Sequence, residues 1–275
     1  MIKNLVIGSD GFIGDPFCKF LEEKGEKATR FDIKRKKVED GRTFKFNFKE
    51  YDKVYFLAWD VGGSKYLYES KLQMSQLKWN LDLMRNVFDQ LEKQKHTDFL
   101  FVSSQLAEEC DTVYGVTKRL GEVWTRQLGG VCIRVWNAYG YMEPLNIKSH
   151  VISDFIYQAL QKKKISMMTN GLEWRQFTHI RDLSNAFHMS LNSKDLKRTV
   201  YDASSYEWVR IVDIAKIIAD ITGSKLNLGD KMGHDPLPSV NMGRIPGWLP
   251  NVELREGIQE MVDQAKEMLR NEKKK

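Results

Sequence analysis

The sequence contains no long hydrophobic run and only three cysteines among its 275 residues. No apolar stretch approaches the roughly 20 residues that a membrane-spanning helix needs, so we expect no such helix. The cysteines are scattered and odd in number, which argues against a disulfide framework and favours a reducing compartment. We find no internal repeat and predict no metal site. The first predicted strand begins close to Met1, so we expect no signal peptide and a cytoplasmic location.

The charge balance is only mildly basic, with a formal net charge of +6. Basic residues are spread along the chain, apart from short clusters at 34–37, 162–164 and 273–275. Clusters of this length are typical of solvated surface, so we predict no binding of nucleic acid. A basic cleft would suit a small anionic substrate.

The first half of the chain alternates apolar, β-branched runs with segments of helical periodicity, which favours a parallel sheet covered on both faces. We therefore predict an α/β fold: a Rossmann-type doubly wound parallel sheet with a smaller C-terminal α/β lobe. Residues 1–137 form the predicted nucleotide-binding domain, to which segments of about 176–192 return, and 138–275 form most of the lobe. Predicted strands are Leu5–Ile7, Ala28–Ile33, Val54–Ala58, Phe99–Ser103 and Val131–Val135, and predicted helices of this half are Pro16–Glu23, Ser70–Gln94 and Val113–Gln127.

The second half does not continue this regular alternation of predicted strands and helices. We predict an ordered loop over Gly229–Pro250, because this stretch is irregular and rich in glycine and proline. The lobe should cover the carboxyl edge of the sheet, where open α/β sheets bind ligands. Its predicted helices are Val151–Lys162, Arg181–Asn192, Val212–Thr222 and one near Leu254–Leu269.

A glycine-rich turn joins the first predicted strand to the first helix. Gly8, Gly11 and Gly14 permit a tight turn, a close approach to a pyrophosphate and close helix packing, with Phe12 and Ile13 between them. Asp32 lies at the end of the second predicted strand, where a carboxylate accepts hydrogen bonds from ribose hydroxyls and repels a 2′-phosphate. These residues predict an NAD site and favour NAD over NADP. A structural turn remains the alternative for both features.

Ser104, Tyr114 and Lys118 form a candidate proton-transfer set. Tyr114 and Lys118 are four residues apart on a predicted helix and so share one face. An ammonium near a phenol favours the phenolate, which can act as a general base. Ser104 ends the fourth strand, where its hydroxyl can bind a substrate oxygen. The set predicts redox chemistry on an alcohol or ketone, although aromatic–basic pairs are also common on helices.

Together these motifs resemble the extended short-chain dehydrogenase/reductases, in the NAD-dependent nucleotide-sugar epimerase/dehydratase branch. The stretch Arg134–Gly140 is similar to the branch's R-x-x-N-x-Y-G motif, and Trp174–Asp182 to its R-x-F-x-H/Y-V-x-D segment. The stretch Gly247–Pro250, followed by Leu254–Gly257, is similar to its C-terminal G-W-x-P…L-x-x-G signature. The likeness runs through most of the chain.

The resemblance implies roles for individual residues. Tyr114 takes the proton of a sugar hydroxyl that Ser104 also binds, and Lys118 holds the nicotinamide ribose and lowers the pKa of Tyr114. Arg175 binds the substrate diphosphate, a task that suits its planar donor fork, and Asn137 helps to seat the nucleotide. The implied cofactor is NAD, and the implied partner is a nucleotide-diphosphate sugar.

Two further stretches, Val61–Gly63 and Ser149–Ile152, look most like GDP-fucose synthases and GDP-mannose 3,5-epimerases, and weakly favour a GDP-sugar. By this likeness His150 is a candidate second proton carrier, with helix capping or packing as the alternative. The relatives' cysteine position holds Leu106 here, and Cys110 could replace it only if the loop folds back. Gln105 and Leu106 replace the Asp-Glu pair of the dehydratases, which argues against 4,6-elimination.

The run from Ser104 to Tyr114 is much shorter than in typical members, which implies a more open pocket, an unusual substrate or reduced activity. We therefore keep three hypotheses. The first is an epimerase with bound NAD, the second a 4-keto-sugar reductase, and the third a non-catalytic NAD-binding sensor or scaffold. The helices at Ser70–Gln94 and Val113–Gln127 also suggest a homodimer, as in relatives that pair through a four-helix interface.

Overall fold

Six strands form one fully parallel sheet. The computed structural model describes residues 1–142, 145–193, 196, 199–233 and 243–272. The chain runs outward from β1 to β2 and then resumes on the other side of β1 with β3, so the winding reverses between β1 and β3. Ligands of such sheets bind at the carboxyl ends beside this reversal. In spatial order the strands are β2 (Lys27–Phe31), β1 (Lys3–Ile7), β3 (Lys53–Phe56), β4 (Phe99–Ser104), β5 (Val131–Val135) and β10 (Val200–Ala203).

Helices cover both faces of this sheet. On one face α1 (Gly14–Glu23) packs against α7 (Ile180–Asn192), and their apolar sides share a core with β1, β4 and β5. On the other face α3 (Ser70–Gln94) packs against α5 (Val113–Leu128) over a core rich in phenylalanine. Shorter helices are α2 (Ser64–Leu67), α4 (Leu106–Glu109) and a 3₁₀ turn at Phe48–Glu50.

The ends of α5 follow from local chemistry. Thr112 precedes the helix, and its Oγ1 accepts a hydrogen bond from the Gly115 amide at 3.0 Å, which caps the first turn. Gly129 ends the helix with a φ of 80°, a conformation that suits glycine. These signals fix the register that turns Tyr114 and Lys118 inward.

The second lobe has its own apolar core, formed by α6 (Val151–Lys162), α8 (Ile211–Thr222) and α9 (Leu254–Glu272). Three short strand pairs frame it. They are β7 (Lys164–Ser166) with β12 (Lys225–Asn227), β8 (Trp174–Arg175) with β11 (Val209–Arg210), and β6 (Ala138–Tyr139) with β9 (Thr178–His179). Of these only β8 and β11 run antiparallel.

The predicted α/β fold is confirmed, with small shifts at the ends of elements. The sixth strand, β10, was not predicted, because it is only four residues long and offers little periodicity. Within the predicted loop Gly229–Pro250, residues 234–242 lie outside the described part of the chain, whereas Ile245 and Trp248 pack into the sheet core. Among the described helices, none combines the length and apolarity needed to cross a bilayer.

Candidate active site

A cavity of about 730 Å³ opens at the carboxyl ends of the sheet strands and extends under the second lobe. All of the residues proposed for the site from the sequence line it. These are Gly8, Gly11, Phe12, Ile13, Gly14, Asp32, Ser104, Tyr114, Lys118, Asn137, His150 and Arg175. Within the described ranges, no three potential metal ligands lie together.

The glycine turn leaves no room for side chains. Gly8 has a φ of 94°, and a Cβ there would lie 2.5 Å from the Ala58 amide nitrogen. A Cβ at Gly14 would collide with the Gly8 carbonyl oxygen. The first turn of α1 therefore lies directly against the end of β1, and Gly8, Gly11 and Gly14 present backbone without side chains to the cavity. This arrangement fits the pyrophosphate of a dinucleotide.

Asp32 is fixed by the backbone around it. One carboxylate oxygen accepts from the Asp10 amide at 3.1 Å and the other from the Lys34 amide at 2.9 Å. Glu39 in turn accepts from the Asp32 amide at 3.0 Å. Each carboxylate oxygen of Asp32 keeps a lone pair that can accept from a ribose hydroxyl. Two carboxylates, Asp32 and Glu39, therefore line this end of the cavity.

Ser104 and Tyr114 are hydrogen-bonded partners at the middle of the cavity. Burial raises the pKa of Tyr114 to about 12, and the Ser104 hydrogen bond only partly offsets this. The expectation that Lys118 lowers the pKa of Tyr114 is not met, because desolvation of the phenol dominates. The Ser104 hydroxyl also donates to Gln105 Oε1 at 3.0 Å and accepts from the Leu106 amide at 3.3 Å.

Lys118 is buried in an aromatic environment. Its ammonium donates to the Val102 carbonyl at 2.5 Å and lies 4.0 Å from the centre of the Trp59 ring. Desolvation lowers the pKa of Lys118 to about 7, and nearby Glu122 and Cys132 oppose this shift. A ribose hydroxyl can reach this ammonium only after a change of rotamer in Lys118 or Trp59, because only 2% of the lysine is exposed.

The short run between Ser104 and Tyr114 folds into the single turn of α4. The turn ends at Cys110, whose φ of 57° reverses the direction of the chain. The Cys110 Sγ donates a hydrogen bond to the Ala107 carbonyl at 3.2 Å. Cys110 is absent from the described cavity lining, so the loop does not fold back to bring it into the site, whereas Leu106 lies in the lining. The α4 turn thus replaces the longer wall of typical relatives.

A buried ionic cluster holds α4 in place. Glu122 is fully buried and accepts from the Arg134 Nε at 2.6 Å and from the Ser103 hydroxyl at 2.7 Å. Arg134 also pairs with Glu108 of α4. This pairing ties the turn after Ser104 to the strand beneath it.

Asn137 and Arg175 lie on the lobe side of the cavity. Asn137 Nδ2 donates to the Gln176 carbonyl at 2.9 Å and so holds the segment after Arg175. The Arg175 guanidinium donates to the Trp174 carbonyl at 2.7 Å and has no carboxylate partner among the described residues. Its positive charge is therefore available to an anionic ligand.

His150 lies at the N-cap of α6, but its side chain makes no capping hydrogen bond. Its ring stacks on Phe12 of the glycine turn, with ring centroids 5.2 Å apart. His150 therefore joins the nucleotide end of the cavity to the second lobe.

Sequence reasoning missed a polar clamp beside His150. Asp60 accepts from Lys148 Nζ and from the Tyr66 hydroxyl, both at 2.6 Å. Gly63 donates its amide to the Lys148 carbonyl at 2.8 Å, and a Cβ at Gly63 would collide with the backbone of Ser149. The clamp binds the loop after β3 to the segment before α6. In the sequence, the adjacent Gly62 and Gly63 indicate a close contact. The segment that they contact, at Lys148 and Ser149, lies far along the chain, so the sequence does not reveal it.

Residues 4–203 match the model of the NAD dependent epimerase/dehydratase family. The chain belongs to this family. Because the family is NAD dependent, the expectation of NAD as cofactor is confirmed, and so is the resemblance to nucleotide-sugar epimerases and dehydratases.

Two curated relatives show how far the sequence likeness extends. The chain is 28% identical over 135 residues to UDP-glucuronic acid decarboxylase 1 of Xenopus tropicalis, covering 47% of this chain and 31% of that protein. It is 25% identical over 161 residues to a putative UDP-glucose 4-epimerase of Methanocaldococcus jannaschii, covering 56% and 53%. The chain thus spans between about a third and a half of the length of these relatives.

The structural likeness is more extensive. The UDP-glucose 4-epimerase of Thermotoga maritima, solved with UDP-glucose, superposes with a TM-score of 0.79 at 18% identity, covering 97% of this chain and 99% of that one. The enzyme WbmF of Bordetella bronchiseptica, solved with NADH, has a TM-score of 0.79 at 21% identity, covering 98% and 93%. At these identities the likeness establishes a shared fold.

Proposed function

We propose that this chain is a nucleotide-sugar epimerase that uses bound NAD and works through a transient keto-sugar. The observation that supports this most strongly is that one cavity joins the glycine turn and Asp32 to the Ser104–Tyr114 pair and to the cation Arg175. Two of these features suit a dinucleotide, one suits a sugar hydroxyl and one suits a diphosphate.

The residues at the nucleotide end fit NAD. The turn at Gly8 and Gly14 would let a pyrophosphate approach the backbone closely, and Asp32 would offer lone pairs to the adenosine ribose. NAD supplies an acceptor that takes a hydride from the sugar carbon and later returns it. Lys118 would bind the nicotinamide ribose after the rotamer change described above.

Tyr114 would take the hydroxyl proton of the sugar while Ser104 donates a hydrogen bond to the same oxygen. Because burial raises the pKa of Tyr114 to about 12, the base needs positive charge nearby. The Lys118 ammonium, 5.8 Å from the centre of the Tyr114 ring, would supply that charge when it is protonated and moves towards the phenol oxygen. Arg175 would hold the diphosphate in place while the keto-sugar presents its other face, and Tyr114 then returns the proton.

His150 would act as a second proton carrier when inversion occurs at the carbon next to the ketone. Its ring lines the cavity at the N-terminus of α6, where it would face the sugar. In deuterated water this route introduces solvent deuterium at that carbon. The His150→Asn variant should abolish this exchange and leave NAD binding unchanged.

The substrate class follows from charge and from the family. The diphosphate of a nucleotide-diphosphate sugar is an anionic group that the Arg175 guanidinium would bind. The names of the relatives cite UDP-sugars, whereas the sequence stretches around Gly63 and His150 favour a GDP-sugar.

Product analysis distinguishes the three hypotheses. The protein is incubated with NAD or a reduced cofactor and with candidate nucleotide sugars, and both the product stereochemistry and the cofactor absorbance are followed. An epimerase yields an isomer without net absorbance change, a keto-sugar reductase consumes reduced cofactor stoichiometrically, and a sensor gives no product. Product formation coupled to net cofactor oxidation, or no turnover with any candidate, would contradict the proposed function.

We also propose a homodimer formed through α5. Val116, Leu120 and Val123 follow one another at helical spacing and are each more than 40% exposed. Such a stripe is typical of a face that packs against a second helix pair. Light scattering should give twice the chain mass, and a Leu120→Glu variant should give the monomer mass.

A further inference from the structure

Glu173 is a carboxylate that the proposed mechanism leaves without a task. It lines the cavity at the second-lobe end, immediately before β8. Its Oε2 is shielded from water and has no hydrogen-bond partner in the described part of the chain. A buried acceptor without a donor is costly and calls for an explanation. A ligand that supplies N–H donors would provide one.

The backbone at Glu173 is firmly held. Its carbonyl accepts from the Ile211 amide at 3.1 Å, next to the paired strands β8 and β11. In extended chain, residues two apart point to the same side, so Glu173 and Arg175 face one region. No ion pair between them is present among the described contacts. A ligand bound there would meet the Glu173 carboxylate, which accepts hydrogen bonds, and the Arg175 guanidinium, which carries a positive charge.

The surroundings of Glu173 suit a flat ring. Met168 lines the same end of the cavity although its apolar side chain is 66% exposed. Thioether side chains make favourable contacts with aromatic rings. Ile211, whose amide bonds the Glu173 carbonyl, also lines the cavity. A base whose diphosphate binds Arg175 would therefore have a carboxylate and apolar side chains within the same cavity.

The carboxylate discriminates between bases. Guanine presents two adjacent donors, N1–H and the N2 amino group, which one carboxylate can accept together. Uracil presents a single N3–H flanked by two carbonyl oxygens, which a carboxylate repels. Cytosine and adenine each offer an amino group next to a ring acceptor. Rotation about the broad terminal torsion of Glu173 turns both oxygens to such an edge.

We propose that Glu173 reads the nucleobase of the substrate and selects guanine, so that the chain acts on a GDP-sugar. This inference rests on the proposed function, since it assumes that a nucleotide sugar occupies the cavity. It reaches the same nucleotide as the sequence likeness by a different observation, the unpartnered carboxylate.

Titration calorimetry with GDP and UDP on the full chain tests this proposal without turnover. We expect GDP to bind at least about tenfold more tightly than UDP, as charge-assisted hydrogen bonds imply. The Glu173→Gln variant should lose about tenfold or more in GDP affinity, while UDP affinity holds or rises because an amide can donate to a uracil carbonyl. Glu267→Gln, at an exposed position of α9 that is absent from the described cavity lining, is the matched control and should change neither affinity.

The outcomes separate the two proposals. Arg175→Gln should weaken GDP and UDP alike, which supports the diphosphate site independently of the base. Three results would overturn the base assignment and leave the proposed function intact. They are equal affinity of the parent for both nucleotides, a preference of the parent for UDP, and equal losses of GDP and UDP affinity in Glu173→Gln. If neither nucleotide binds, both the base assignment and the proposed function fail. The parent's affinity ratio needs no variant, so a folding defect in Glu173→Gln would not obscure the result.

Discussion

Replacement of Lys118 by methionine should stabilise the protein, by an amount that falls as pH rises. Desolvation lowers the pKa of Lys118 from its ordinary 10.5 to about 7. Each unit corresponds to about 1.4 kcal/mol, so burial of the charged lysine costs about 5 kcal/mol at pH 6, where both states are protonated. At pH 9.5 the folded state is neutral and the remaining cost is only about 1 kcal/mol.

The sign follows from proton linkage. Between pH 7 and 10.5 the unfolded chain binds more protons at Lys118 than the folded chain, so this residue makes the parent more stable as pH rises. The methionine variant lacks this contribution. The difference in free energy of unfolding between variant and parent should therefore fall by several kcal/mol from pH 6 to pH 9.5.

Urea unfolding of both proteins at several pH values measures this difference. Lys78→Met, at an exposed position of α3, controls for the replacement of a lysine by methionine. Glu122 and Cys132 are present in both proteins, so the comparison isolates the lysine. A difference that stays constant across the pH range would refute the burial of a charge-bearing lysine beneath Trp59.

Three other variants test separate parts of the account. Tyr114→Phe should lower turnover by about 10²- to 10⁴-fold with unchanged NAD affinity, and full turnover would rule out Tyr114 as the base. Arg134→Met leaves the buried Glu122 charge with only the more exposed Arg119 as a cationic partner, so unfolding free energy should fall by about 3 kcal/mol. A loss below about 1 kcal/mol would contradict the ionic cluster. Gly63→Ala places a Cβ against the backbone of Ser149, so the thermal midpoint of unfolding should drop by about 4 °C or more. An unchanged midpoint would show that the clamp tolerates a side chain at this position.

The sheet and its covering helices were predictable because their signals are local. Glycine at the end of β1, the capping Thr112 and the helical periodicity of α3 and α5 each act within a few residues. Strand β10 was not predictable in this way. It is four residues long, and its pairing with β5 joins segments about 70 residues apart.

The site was predictable as a set of residues but not as an electrostatic environment. Motif spacing brought Asp32, Tyr114 and Arg175 to one cavity. The pKa shifts of Tyr114 and Lys118 depend on burial, and the cover over the lysine comes from Trp59, a residue at the end of another strand. The orphaned oxygen of Glu173 is likewise a property of packing that no spacing reveals.

The central claim is that a hydride leaves a sugar carbon and returns to the same carbon within one cavity. A nucleotide sugar deuterated at C4, the usual site of oxidation, tests this directly when the product is examined by mass spectrometry and NMR. We expect an isomer that retains the deuterium at C4, with no net change in cofactor absorbance. Loss of the label to solvent, or its accumulation in free reduced cofactor, would contradict it.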